Sequence, residues 1–332
     1  MLGNPTFMCI DAGGENCPCS LAESGNCIVC GRLSGRDCSD CQWHGVCIYN
    51  EFIQNGRKTK KNREDFTAEI VTRIKYDEET VMLGLKVGKG FAVKCYAAGS
   101  YVFLRRRDCE QFFNVPISVM RADAETEMIF LLVKGISAKT KAIIEDERAL
   151  LVRGPYRNGI FGLDSLQNMI KTAKREGRKG KILIAAKATG IAPAAKLMQT
   201  LENNHGVSLF LDPANMKPQV LEDVLIEEPE DYCELDFTKP GDLLKLKLEL
   251  AAGGYDCFAV FASDYYVKLL SDMAEEIGFA GKLLISNNHN ICCGEGICGA
   301  CSVAGKNGET MKMCKCRLSG EEMLCRKHSA AE

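Results

Sequence analysis

The sequence predicts a multidomain protein: a small antiparallel β-barrel, then an α/β domain with a parallel sheet, with cysteine-rich modules flanking the pair. Three observations carry this expectation. Residues 66–155 hold short β-rich runs separated by turn residues, the pattern of a small barrel. Residues 163–286 alternate helical and strand patterns, which gives a parallel sheet with helices on both faces. The chain has 332 residues, long for one core, and its 19 cysteines gather mainly at the two ends. The boundaries that follow are 1–62, 63–157, 158–286 and 287–332.

Taken in order, the first module contains Cys9, Cys17, Cys19, Cys27, Cys30, Cys38, Cys41 and Cys47 among glycines and polar residues. So few aliphatic side chains cannot build a core, so bound metal is expected to hold it together. Eight thiolates suit one [4Fe-4S] cluster with spares, two clusters, or two zinc ions, whose commonest signature is the paired Cys-x2-Cys. The iron–sulfur alternative is preferred because the far end of the chain also reads as a redox module. His44 is a further candidate ligand but reads better as a supporting or surface residue, and Trp43 as packing. Residues 55–64, with Arg57, Lys58, Lys60, Lys61 and Arg63, read as a basic linker.

The barrel strands are expected at 66–71, 80–87, 101–104, 128–133 and 149–155. In the next domain helices are expected at 165–176, 192–203, 243–252 and 265–277, with strands at 181–186, 207–211, 257–262 and 282–286. Ligands of such sheets bind at the carboxyl ends of the strands.

Near the carboxyl end Cys293, Cys298 and Cys301 are spaced Cys-x4-Cys-x2-Cys, the plant-type [2Fe-2S] pattern. A loop around a small cluster needs positive φ and close backbone approach, which explains Gly294, Gly296 and Gly299. Residues 302–308 read as a strand and a glycine turn, and 309–314 as a returning strand that brings Cys314 beside the loop. Cys314 is therefore the preferred fourth ligand, with Cys316 and Cys325 as bystanders or substitutes and Cys292 a neighbour rather than a ligand. A structural zinc site fits the x4 arm and its glycines poorly.

The Cys-Gly-x-Gly-x-Cys-x-x-Cys run, behind a strand and a helical segment, resembles the cluster domain of the dihydroorotate dehydrogenase electron-transfer subunit family, which includes small subunits of electron-bifurcating transhydrogenases. The resemblance spans roughly residues 64–325. It implies a ferredoxin-reductase-like order of FAD-binding barrel, NAD(P)-type α/β domain and [2Fe-2S] domain. Pro116, Ile117 and Ser118 stand where the family has Arg-Pro-x-Ser, whose serine lies near the isoalloxazine and whose arginine meets the pyrophosphate. Val115 replaces that arginine here, with Arg121 or the run of Arg105, Arg106 and Arg107 as substitutes. The resemblance also implies Leu132, Val133 and Gly135 at the FAD site, and the run from Gly154 to Gly159 matches the family's Gly-Pro-x-Gly-Asn-Gly turn except at Arg157.

The family's Gly-Gly-Gly-x-Gly-x-Ala-Pro nucleotide loop reads here Ala186-Lys187-Ala188-Thr189-Gly190-Ile191-Ala192-Pro193. Only Gly190, Ala192 and Pro193 survive, with Lys187 the one new charge that could replace lost phosphate contacts. The Cys-Gly-Pro turn beside the nicotinamide has become Ala262-Ser263-Asp264. Poor or absent NAD(P)H binding is the expectation.

A formal charge of -2 gives no electrostatic case for nucleic acid or an anionic membrane. No apolar run reaches membrane-spanning length. The start lacks a basic flank and apolar segment, so no secretory signal is expected and the thiols should stay reduced in a cytoplasmic setting. The expected function is an electron-transfer flavo-iron–sulfur subunit that needs a catalytic oxidoreductase partner. The alternative is a non-catalytic cluster-binding scaffold or redox sensor with an eroded nucleotide site.

Overall fold

The computed structural model describes residues 8–39, 41–201, 205–226, 229, 231–305 and 310–327. The glycine turn expected at 306–308 lies outside them. The chain forms two compact units, Phe66–Asn288 with Ser319–Glu332, and Met1–Asp65 with His289–Leu318. This differs from the sequence-drawn boundaries, because the two cysteine modules belong to one body and the terminal helix belongs to the other.

In the larger unit a seven-stranded antiparallel sheet runs in the order Val115–Ser118, Tyr101–Arg106, Ala149–Tyr156, Phe66–Lys75, Thr80–Lys86, Met128–Lys134, Arg121–Asp123. Its central strands are buried on both faces, and the period of two sorts their side chains. Val81, Leu83 and Leu85 pair with Val133, Leu131 and Ile129 inside the half-barrel. Met82 and its partner Leu132 point the other way and join the apolar cluster of the α/β layer. Sequence pattern located five of these strands; the helices Lys89–Lys94 and Ala138–Glu145 were not expected.

The α/β layer has six strands in the order Asp231–Glu234, Gly206–Asp212, Lys181–Lys187, Cys257–Phe261, Lys282–Ser286, Ile160–Phe161. All neighbours are parallel except the last pair, so the expected parallel sheet gains one antiparallel edge. Helices Leu163–Arg175, Ile191–Leu201, Pro240–Ala252 and Asp264–Glu276 cover it, close to where apolar periodicity places them. Helix Gly320–Lys327 completes the unit: the Leu283 amide donates to Glu321 Oε1 at 3.1 Å. A Cβ on Gly320 would stand 2.3 Å from the Leu283 carbonyl oxygen, so glycine permits this close approach.

The smaller unit contains little regular structure. Met8–Cys9 pairs antiparallel with Cys316–Arg317, placing Cys9 opposite Cys316. Ser302–Ala304 and Thr310–Lys312 form the expected hairpin. Its apolar cluster consists of Cys17, Ala22, Cys30, Leu33, Ile48 and Phe52, with Trp43 packed against it as expected. Among the described residues no helix is long and apolar enough to cross a membrane.

Candidate functional site

The cysteine loop is shaped by its glycines: Gly294, Gly296 and Gly299 have φ of 71°, 76° and 76°, the left-handed conformation their positions predicted. The hairpin then returns the chain. Met313 N–H donates to the Cys301 carbonyl at 3.0 Å, and Cys314 N–H reaches the Cys301 Sγ at 3.4 Å. Cys301 and Cys314 are buried, Cys293 is half-buried and Cys298 is exposed.

The four thiols meet in pairs. Hydrogen bonding from Cys314 holds Cys293 down to about 4 and Cys301 down to about 6, while the same bonds push Cys314 up. Cys293 also hydrogen-bonds Cys298. Cys316 instead lies in the ladder opposite Cys9.

Among the described residues, no three Cys, His, Asp or Glu side chains have the arrangement of a single bound metal ion. The four thiolates of a [2Fe-2S] cluster divide between two irons, and here Cys293 contacts both Cys314 and Cys298 while Cys301 contacts Cys314. In the chemistry of their donors and the glycine-shaped loop that gathers them, Cys293, Cys298, Cys301 and Cys314 fit that cluster.

An ionic knot that sequence reasoning missed lies directly behind the loop. Lys315 Nζ, fully buried, contacts Asp11 Oδ2 at 2.6 Å and Glu295 Oε2 at 2.8 Å. Arg63 closes the square, 2.6 Å from Asp11 Oδ1 and 3.3 Å from Glu295 Oε1. Burial opposes the Lys315 charge, but Asp11 and Glu295 raise its pKa. Burial likewise opposes the Asp11 carboxylate, and Lys315 with Arg63 holds it below the usual range. Residues 55–64 are therefore not simply a linker. Arg63 is part of the knot, Lys60 N–H donates to the Pro18 carbonyl at 2.9 Å, and the Lys61 carbonyl accepts from Asn16 Nδ2 at 3.1 Å. The available signal was position: Glu295 sits between two loop glycines and Lys315 between two cysteines.

The eight amino-terminal cysteines separate by environment. Cys17 and Cys30 are buried, Cys9, Cys19 and Cys27 are half-buried, and Cys38, Cys41 and Cys47 are exposed, as is His44. Trp43 packs over Gly13 and Gly45, where added Cβ atoms would come within 2.8 and 2.4 Å of its ring.

Of the residues expected at a flavin site, Pro116, Ile117 and Ser118 lie half-buried on the edge strand Val115–Ser118, paired with Phe103, Val102 and Tyr101. Val133 is inside the half-barrel core and Leu132 on its outer face, so these two shape the strand from opposite sides. Gly135 is buried against Ile144, 2.5 Å from where a Cβ would stand, and its N–H donates to the Glu79 carbonyl at 2.7 Å. Among the substitute cations, Arg121 stacks 3.9 Å over the Phe130 ring, Arg105 Nε donates to the Cys109 carbonyl at 3.1 Å, and Arg106 pairs with Asp108 at 2.5 Å.

The nucleotide-type loop is altered in a selective way. In dinucleotide loops one glycine serves helix–strand packing, while others let the backbone approach the pyrophosphate. Gly190 is of the packing kind: a Cβ there would lie 1.9 Å from the Phe261 carbonyl oxygen. At the lost positions, Ala188 keeps a left-handed φ of 50° with a methyl group attached, and Lys187 points its ammonium at Asp212. That ammonium also lies 4.7 Å from the Tyr266 ring centroid and 5.9 Å from that of Phe237. Asp212 is 2% exposed and accepts further bonds from Phe237 N–H and Ala214 N–H, both at 2.8 Å. Ala192 is buried and Pro193 half-buried in the first turn of helix Ile191–Leu201. At the second altered corner, the Ala262 carbonyl accepts from Asn288 Nδ2 at 2.7 Å and Ser286 Oγ at 3.2 Å.

No protein-family model matches the sequence, and no curated protein matches it. Solved structures do. One is the NADH-dependent reduced ferredoxin-NADP oxidoreductase studied for flavin-based electron bifurcation, with a TM-score of 0.58 and 17% identity over 79% of this chain and 93% of that one. Another is a ferredoxin NADP+ reductase from Neisseria gonorrhoeae with bound FAD and NADP, with a TM-score of 0.50 and 12% identity over 68% of this chain and 99% of that one. The fold is ferredoxin-reductase-like, with an antiparallel half-barrel sheet and a mixed-sheet layer.

Proposed function

We propose that this protein is an electron-transfer flavo-iron–sulfur subunit that works with a catalytic oxidoreductase partner. The observation that carries the reading is the meeting of Cys314 with Cys293 and Cys301 in a glycine-shaped loop, on a chain whose larger unit has the fold of flavin reductases. The likeness to a ferredoxin-NADP oxidoreductase and to a ferredoxin reductase with bound FAD and NADP favours a flavin here. Pro116, Ile117 and Ser118 would hold it along the half-barrel edge, and Cys293, Cys298, Cys301 and Cys314 would hold a [2Fe-2S] cluster. Bound flavin supplies exchange of electrons both in pairs and singly, and the cluster supplies single-electron exchange. The protein's own share is to exclude water from Cys301 and Cys314, to fix the loop through Lys315 and Glu295, and to keep the thiols available.

The Lys187–Asp212 pair favours a second reading, a cluster-binding scaffold or redox sensor built on an eroded nucleotide fold. A visible spectrum of anaerobically purified protein separates the two. Flavin bands with a reducible cluster absorbance support the electron carrier; cluster absorbance without flavin, even after incubation with FAD, supports the scaffold. For the ligand set, loss of the cluster's EPR signal in Cys314→Ser with retention in Cys316→Ser is expected, and the reverse would exchange the two residues.

A further inference from the structure

The amino-terminal cysteines surround one cavity unequally. Cys9, Cys17, Cys19 and Cys27 line a small cavity whose remaining wall is mainly hydrocarbon, including Leu21, Ile28 and Ile48. Cys38, Cys41 and Cys47 are exposed, and Cys30 reaches only the edge of this set, its N–H donating to Cys27 Sγ at 3.4 Å. We propose that Cys9, Cys17, Cys19 and Cys27 hold an iron–sulfur cluster in this cavity, separate from the Cys293, Cys298, Cys301 and Cys314 set. The choice of a redox metal rests on the electron-carrier reading above; the choice of these four thiols stands on the cavity alone.

Zinc gathers four sulfurs to about 2.3 Å from one point. A cluster instead holds its thiolates apart around an inorganic core. Here the thiols come from three separate stretches, the strand Met8–Cys9, the turn carrying Cys17 and Cys19, and the loop after helix Ser20–Glu23, and they enclose a space. Asp11 lines the cavity and pairs with the Lys315 ammonium at 2.6 Å. The cavity wall is tied to the carboxyl-terminal loop as well: Ile10 N–H donates to the Lys315 carbonyl at 2.8 Å, one residue past Cys314.

The test uses the full chain, reconstituted anaerobically with ferrous iron and sulfide, with iron, sulfide and zinc counted per chain. Iron and sulfide in excess of two per chain are expected. Cys19→Ser and Cys17→Ser should lose that excess while the EPR signal that Cys298→Ser abolishes is retained; Cys38→Ser and Cys41→Ser should keep both. Loss of the excess in Cys38→Ser or Cys41→Ser, or its retention in Cys19→Ser, would overturn the assignment. If the Cys17 and Cys19 variants fail to fold, X-ray absorption at the iron and zinc edges of the unmutated chain decides, because zinc bound to sulfur with iron limited to two per chain would also overturn it. Failure of the electron-carrier reading would show separately, as absence of the signal that Cys298→Ser removes.

Discussion

The larger unit buries rows of aliphatic and aromatic side chains, such as Leu83, Leu131, Phe258 and Phe261, in two sheet layers. The smaller one gathers a cluster of Cys17, Ala22, Cys30, Leu33, Ile48 and Phe52, buries a few more side chains such as Leu21, Met311 and Met313, and also fully buries the charged Lys315. Apolar burial of the first kind stabilises a fold by itself, at roughly 25 cal/mol per Å². A buried ion square does not, because desolvation offsets much of its attraction. The difference teaches that the larger unit carries its own stability, whereas the smaller one has less apolar burial with which to do so and would gain from any metal its thiols hold.

The largest test of that contrast is metal removal. Anaerobic chelation should abolish amide-exchange protection around the helices Ser20–Glu23 and Ile48–Gln54 and the Ser302–Ala304 hairpin, and leave the sheets of the larger unit protected. Equal protection in both units after chelation would break the comparison.

Next in size is the knot. Lys315→Ala leaves Asp11 and Glu295 facing Arg63 alone in a buried site, an expected loss of about 3–5 kcal/mol in the metal-loaded protein, read by chemical denaturation of the smaller unit. A loss confined to a few tenths would show that water reaches the square. In the larger unit, Gly190→Ala places a methyl group against the Phe261 carbonyl and should cost about 1–3 kcal/mol through forced backbone movement.

A smaller effect depends on pH. Lys196, 3% exposed on helix Ile191–Leu201, has its ammonium pulled down to about 8 by burial, with Cys95 partly opposing the shift and the Tyr96 ring 5.5 Å away. Since its folded pKa lies below the ordinary lysine value of 10.5, the folded state binds fewer protons than the unfolded state between about pH 8 and 10.5. The larger unit should therefore gain stability as pH rises through that window and lose it as pH falls towards 8. Lys196→Met should flatten this dependence. A slope unchanged by the substitution would assign it to other groups.

The same contrast decides what the sequence could reveal. Short β-rich or continuous apolar runs placed the strands at Thr80–Lys86 and Lys181–Lys187, and helical periodicity the helix at Asp264–Glu276, because burial on a regular surface leaves a run or a period in the chain. The edge strand Asp231–Glu234, mostly exposed, carries no such period and was missed. Cysteine spacing located the carboxyl-terminal loop, since cluster ligation fixes short-range geometry. It could not show that Arg63 and Lys315, 252 residues apart by subtraction, share Asp11 and Glu295. Charge pairing leaves no periodic trace, so a basic run that reads as solvated linker can supply a buried cation.

The smallest expected effect is none at all, and it concerns nicotinamide nucleotides. The loop that opens helix Ile191–Leu201 retains Gly190, which the fold needs, and has lost the glycines a pyrophosphate needs. Lys187 does not restore the lost contacts, because its ammonium is already committed to Asp212 and flanked by Tyr266 and Phe237; turning it to a phosphate would leave a 2%-exposed carboxylate without its cation. At the second altered corner the Ala262 carbonyl accepts bonds from Ser286 and Asn288. Anaerobic NADH or NADPH added at micromolar concentration to the FAD-reconstituted protein should leave the flavin absorbance unchanged, and Lys187→Ala should do no better. Rapid bleaching of the unmutated protein would show that the loop still binds the dinucleotide. Bleaching only after a partner subunit is added would place electron entry on that partner.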